Sequence, residues 1–346
     1  MALWRQSEAR DPWAVAAVLA GTRLHSDGSG NAGDGERGSG MSVLLWASGR
    51  GAAFQDRLSR TLAMAEALGT RGLDTRIALP VEEAALGWLE SAGVRNPVLL
   101  PERDSDLRAV LATRGSAGAI VADVERPLSR ADVRALSRGN PLIVVEGSGP
   151  GLAEADVVVT LEPDARRSRA LAGPAYVPLS RAVRLARDLR GRPPRPTSLV
   201  VVHFDARDDE ATVSRVLGGV AMARDAGVRL AGRVVADPLM AAGRRLAGLA
   251  RRLELPPPIA VWPDASIASL VEADVAVVTS GMVAYEAAAC GVATIVVGAP
   301  RGVSSLASGG AVVGLPAAAA EERIADRMIA LLARTRATEV GERRVG

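Results

Sequence analysis

One acidic side chain, Glu286, sits inside a short Ala-rich stretch that follows a Ser-Gly turn in the run EADVAVVTSGMVAYEAAACGVATIVVG, residues 272–298. The run reads as strand, tight turn, helix and second buried strand. Residues 274–279 are short, apolar and β-branched, Ser280-Gly281 lets backbone come close to a ligand, and the helix after it offers unpaired N–H groups to an anion. A diphosphate fits that helix start, against Ser280, Gly281 and Met282. Glu286 comes about a turn and a half later, where a carboxylate can accept hydrogen bonds from two ribose hydroxyls. A solitary glutamate of this kind reads as a solvated helix face; the pattern around it reads as a nucleotide-sugar pocket. Arg50, Arg57 and Arg301 add guanidinium groups, which offer paired donors to phosphate or to an acidic sugar, although each one taken singly reads as a solvated surface arginine.

The elements that must hold these residues alternate regularly. The spacing predicts strands at 43–46, 75–79, 97–100, 119–123, 142–145 and 156–161, separated by helices at 54–71, 82–92, 105–114 and 129–137. A helix at 181–189 leads into the Pro-rich segment GRPPRPTS, residues 191–198, a stiff linker and the clearest domain boundary. A second series follows, with strands at 199–204, 228–235, 259–262, 274–279 and 293–297 and a closing helix at 316–333. Strands separated by amphipathic helices mean βαβ units and parallel sheets. The expected fold class is therefore α/β of the GT-B type: two doubly wound Rossmann-like domains, 41–190 and 199–334, facing a cleft, with ligands at the carboxyl ends of the strands. Residues 1–40, rich in Gly, Ser, Asn and Asp from His25 onward, are expected to be disordered or loosely attached, and 335–346 to form a flexible tail.

Composition narrows the chemistry. The chain has 346 residues and 48% apolar composition, with a mean hydropathy of +0.16, enough for two ordinary cores. All 42 basic residues are arginine, which excludes Schiff-base catalysis and a P-loop lysine. Thirty-nine acidic residues reduce the net charge to +3, and aromatics that could stack on bases are few, so nucleic acid is not an expected partner. A single cysteine, Cys290, excludes an internal disulfide and reads as a small core residue, and two histidines are too few for an ordinary His-rich metal site. No apolar run reaches the ~20 residues needed to span a bilayer, which points to a cytoplasmic location without integral membrane association. The turn at Gly49-Arg50-Gly51 imitates a dinucleotide-binding loop, but the next strand ends Ala78-Leu79-Pro80 without the acid that would hold a ribose, so no dehydrogenase and no cofactor is expected.

At the level of motifs, residues 41–333 resemble the PseG/SpsG family, UDP-sugar hydrolases of pseudaminic acid synthesis and their surface-polysaccharide relatives. The resemblance rests on Ala273-Asp274, Ser280-Gly281, Glu286, Gly291 and Ala293 in the second half. In the first half it rests on Arg60 through Leu68, on Asp123 at the end of the fourth strand, and on Gly173-Pro174-Ala175-Tyr176. It implies that Glu286 is the ribose ligand, that a UDP-sugar or another NDP-sugar is the partner, and that water attacks the anomeric carbon. A glycosyltransferase using the same donor pocket and a catalytically silent binder are the alternatives. Three segments depart from the family. Its Gly-His pair, with the histidine as catalytic base, is Asp56-Arg57 here. Its Gly-Gly turn near the diphosphate is His203-Phe204-Asp205-Ala206, and its Asn-Gln after the last pocket strand is Ala299-Pro300-Arg301-Gly302. Asp56, His203 and Asp205 are the candidate substitute bases. Asp56 also reads as an acid favoured in a first helical turn and His203 as a strand-end structural residue. The sugar and the oligomeric state stay open.

Overall fold

The computed structural model describes residues 42–49, 51–80, 86, 89–90, 94, 97–100, 107–113, 115, 117–162, 170–188, 196–205, 208–236, 243–255, 259–260, 263–298 and 303–343. The N-terminal extension, most of the expected helix at 82–92, most of the Pro-rich linker, Arg50 and Arg301 lie outside them. The chain divides into two compact units at Arg181/Ala182.

In the first unit the order is β1 (Ser42–Ala47), α1 (Gly51–Gly69), β2 (Asp74–Pro80), β3 (Val98–Leu100), α2 (Leu107–Thr113), β4 (Ala117–Asp123), α3 (Arg130–Ser137), β5 (Leu142–Val145), β6 (Val157–Thr160) and β7 (Ala170–Ala172). The strands form one parallel sheet in the order β3-β2-β1-β4-β5-β6-β7. Near-continuous apolar strands such as LLWA and AIVAD are what a sheet covered on both faces requires. Leu44 and Trp46 join the core under α2 and α3, which leaves Leu45 and Ala47 on the opposite face of the strand. The start of α3 follows directly from sequence: Ser129 accepts from Asp132 N–H at 3.1 Å, and the Asp132 carboxylate accepts from Ser129 N–H at 2.9 Å, a capping box.

The second unit contains α4 (Arg181–Asp188), β8 (Ser198–Phe204), α5 (Glu210–Asp225), β9 (Leu230–Ala236), α6 (Gly243–Arg252), β10 (Ile259–Ala260), α7 (Pro263–Glu272), β11 (Val275–Val278), α8 (Gly281–Ala289), β12 (Ala293–Val297), α9 (Ser304–Ser308), β13 (Val312–Leu315) and α10 (Glu321–Arg343). Its sheet, also parallel, runs β10-β9-β8-β11-β12-β13. Val200, Val202 and Phe204 face a core shared with α5 and α10, so Leu199, Val201 and His203 face the other side of the sheet.

The structure differs from the sequence expectations at several places. Strands β7 and β13 add an edge to each sheet; both are short, and Ala-rich or Gly-containing, so they carry little strand signal. Helix α4 groups with the second unit, ahead of the Pro-rich segment, and there Cys290 of α8 donates its Sγ–H to the Val183 carbonyl at 3.8 Å. Helix α10 begins at Glu321 and continues to Arg343, through residues expected to be a flexible tail, where the sequence has no proline to stop it. Among the described residues, no helix is long and apolar enough to cross a membrane.

Candidate functional site

Open parallel sheets gather ligands where neighbouring strands lead their connections in opposite directions, just beyond the carboxyl ends. Strand order places that point between β1 and β4 in the first unit and between β8 and β11 in the second.

In the second unit, β11 ends at Val278 and Ser280 caps α8, its Oγ accepting from Val283 N–H at 3.5 Å. Gly281 is buried, and Met282 has 3% exposure. Glu286 is half-buried five residues into the helix, about 7.5 Å along the axis from its first residue. The capped start of α8 and the Glu286 carboxylate thus lie on one helix, one and a half turns apart.

His203 lies at the end of β8, in register with Val278 of β11, and its carbonyl accepts from Thr279 N–H at 3.2 Å. It faces the side of the sheet away from α5 and α10; α8 also contributes nothing to that core and packs on β11 and β12. The imidazole is 5% exposed, and neither ring nitrogen has a hydrogen-bond partner among the described residues. Burial lowers its pKa to about 4, outweighing the nearby Asp205 carboxylate, which acts in the opposite direction. A neutral imidazole of this kind is a hydrogen-bonding group first and a weak base second. Asp205 is buried, and its N–H is shared between Thr279 Oγ1 at 3.0 Å and Asp208 Oδ2 at 2.7 Å. Thr279 Oγ1–H also donates to Asp208.

In the first unit, the switch point holds a charged knot. Asp123 ends β4 with 1% exposure and takes two hydrogen bonds from Arg60 of α1, Nε at 2.7 Å and Nη2 at 3.0 Å. Arg57, one turn earlier, places Nε 3.6 Å from the same carboxylate and Nη1 3.8 Å from Glu125. Burial opposes the charge on Arg60, but Asp123 more than compensates, so its pKa lies above the ordinary arginine value. At Arg57 burial prevails over Asp123, and Arg60 adds to its effect, so its pKa is lowered. Asp56 is half-buried in the second turn of α1 rather than its first, since the helix begins at Gly51, and its charge acts favourably on both arginines. The backbone closes the same corner: Ser48 N–H donates to the Asp123 carbonyl at 3.1 Å, and Gly49 has φ +140 with Arg57 Nη1 and Glu125 Oε2 close above it.

The structure thus gathers Ser280, Gly281 and Met282 at one helix start with Glu286 farther along it, and His203 and Asp205 at the end of the neighbouring strand. Asp56 and Arg57 belong to the other unit's knot. Sequence inspection did not single out Thr279 and Asp208, or the partnership of Arg60 with Asp123. Asp208 had no signal, standing in a charged ARDDE run, and Arg60 and Asp123 pair across 63 positions. Among the described residues, no group of three or more His, Cys, Asp or Glu side chains is arranged to hold a metal ion.

No protein-family model and no curated protein sequence matches the chain. Solved structures do match across most of its length. A glycosyltransferase from Rickettsia africae superposes with a TM-score of 0.55 at 10% identity, covering 88% of this chain and 94% of that one. The S. aureus MnaA co-structure with UDP gives 0.60 at 8% identity, covering 85% and 89%. The UDP-GlcNAc 2-epimerase from Neisseria meningitidis bound to UDP-GlcNAc gives 0.54 at 9% identity, covering 86% and 93%. At these identities the likeness is one of fold: the chain has the GT-B architecture, two Rossmann-like α/β domains each built on a parallel sheet.

Proposed function

We propose that the chain binds a nucleoside-diphosphate sugar through its second domain and transfers the sugar from the anomeric carbon to an acceptor hydroxyl. The observation that carries this reading is the switch point between β8 and β11, where α8 opens with a Ser280 cap and brings Glu286 about 7.5 Å along its axis. The helix start holds the leaving diphosphate as its charge develops, and Glu286 fixes the ribose. The fold is also that of solved proteins described as a glycosyltransferase and as an epimerase with UDP-GlcNAc bound, which favours an NDP-sugar over other nucleotides.

Transfer is favoured over hydrolysis by the first domain. The positions where a PseG/SpsG-type hydrolase carries Gly-His are Asp56-Arg57, and Arg57 is engaged with Asp123 and Glu125. The hydrolase reading keeps one specific support: Arg60 and Asp123, both part of the family resemblance, form a bidentate buried pair.

Calorimetric titration of the full chain with UDP, followed by UDP release from UDP-sugars with and without acceptor glycans, tests the proposal. Saturable UDP binding with acceptor-dependent release is expected, while release to water at the same rate means hydrolysis. Glu286→Ala removes charge-assisted hydrogen bonds and should weaken UDP by about tenfold or more. Unchanged UDP affinity in that variant refutes the pocket.

A further inference from the structure

The end of β8 carries a buried polar side chain that the domain itself does not satisfy. His203 is 5% exposed, and neither ring nitrogen has a hydrogen-bond partner among the described residues. An imidazole removed from water in this way loses its hydration without return, and native interiors hold few such groups. Its surroundings say what it faces. His203 pairs in register with Val278, the last residue of β11, and its carbonyl accepts from Thr279 N–H at 3.2 Å. Residues in register on parallel strands project from the same face. Val200, Val202, Val275 and Val277 belong to the core shared with α5 and α10, so Val201, His203, Ala276 and Val278 project from the opposite face. Helix α8 starts three residues after Val278, lies on β11 and β12, and puts none of its buried residues into that core. The imidazole therefore stands on the face that carries α8, beside the passage from β11 into the Ser280 cap.

We infer that His203 is a phosphate-contacting residue of the nucleotide pocket: its imidazole donates a ring N–H to a phosphate oxygen of the nucleoside diphosphate seated at the start of α8. The inference rests on the pocket proposed above and deepens it, because it assigns the ring as a donor to the leaving diphosphate and not as the general base. Two independent features meet there, the nine-residue helix whose first amides favour an anion and a buried ring with an N–H to give. Burial keeps the ring neutral near pH 7, so it brings one fixed N–H dipole to the ligand without a charge of its own. A donor aimed where negative charge gathers as the sugar departs holds the transition state more tightly than the ground state.

The chain has two histidines, His25 and His203, so nitrogen NMR of the histidine-labelled full chain shows two imidazoles, assigned with His25→Gln. Wild type is titrated with UDP and, separately, with uridine at pH 7. The expected result is a shift of a His203 ring-nitrogen signal with UDP and none of that size with uridine. UDP affinity, measured by calorimetry, should fall about tenfold or more in His203→Val and be restored at least in part in His203→Gln, whose amide keeps a donor. The spectrum of the wild type decides the question even where a variant folds poorly. UDP binding that leaves the His203 signals unmoved, or that is equally tight in His203→Val, overturns the inference and leaves the pocket standing. An equal shift with uridine also overturns it, since the ring then meets the nucleoside and not the phosphate. Failure of the wild type to bind UDP overturns the pocket and this inference together.

Discussion

Acidification should destabilise the second domain through a single side chain. His203 has 5% exposure, two ring nitrogens without partners among the described residues, and a pKa lowered from 6.5 to about 4. In the unfolded chain the imidazole takes its proton near pH 6.5, whereas the folded state resists it until about pH 4. The unfolded state thus binds more protons throughout that interval. Stability conferred by the neutral imidazole is fully present above pH 6.5 and is lost as pH falls toward 4. A displacement of this size corresponds to about 3 kcal/mol in all, roughly 2 kcal/mol of it already lost at pH 5. Urea denaturation at pH 7, 6, 5 and 4, compared between wild type and His203→Val, isolates the contribution, since valine suits the strand face that carries Val201. Carboxylates held below their usual range, such as Asp132 and Asp209, titrate beneath this window and cancel in the comparison. The variant should lack the loss between pH 6.5 and 4. Identical pH dependence in the two proteins would refute the argument, and would mean that the imidazole finds partners or solvent on protonation.

Two further outcomes concern the first domain. Asp123→Ala strands the Arg60 guanidinium, whose side chain is 6% exposed, and should cost about 3–5 kcal/mol in chemical denaturation, while Arg60→Met combined with Asp123→Leu should cost much less than the two single changes summed. Additive losses would mean that the pair is not coupled. Gly49→Ala meets both φ +140 and a Cβ position 2.8 Å from Arg57 Nη1 and 2.9 Å from Glu125 Oε2, so a loss of about 1–3 kcal/mol is expected, read as a lower thermal midpoint.

Much of the architecture was legible because it is written locally. Strands such as LVVVHF and AVV, interrupted by amphipathic segments of helical length, announce βαβ units, and Ser129-x-x-Asp132 and Ser280-Gly281 mark the starts of α3 and α8. The short edge strands β7 and β13 escaped because three or four small or mixed residues carry no periodicity; neighbouring strands recruit them. Glu286 could be placed on its helix from spacing alone, since a helix fixes which residue lies a turn and a half from its start.

What the sequence by itself determined was therefore most of the elements, their order and the helix that presents Ser280 and Glu286, all set by interactions within a few residues. Tertiary structure decided the chemistry at the strand ends. Only folding brings Arg60 to Asp123 across 63 positions and Thr279 to Asp208 across 71. The same burial removes His203 from water and makes it resist protonation. Charge pairing and desolvation depend on neighbours distant in the chain, and no local pattern encodes them.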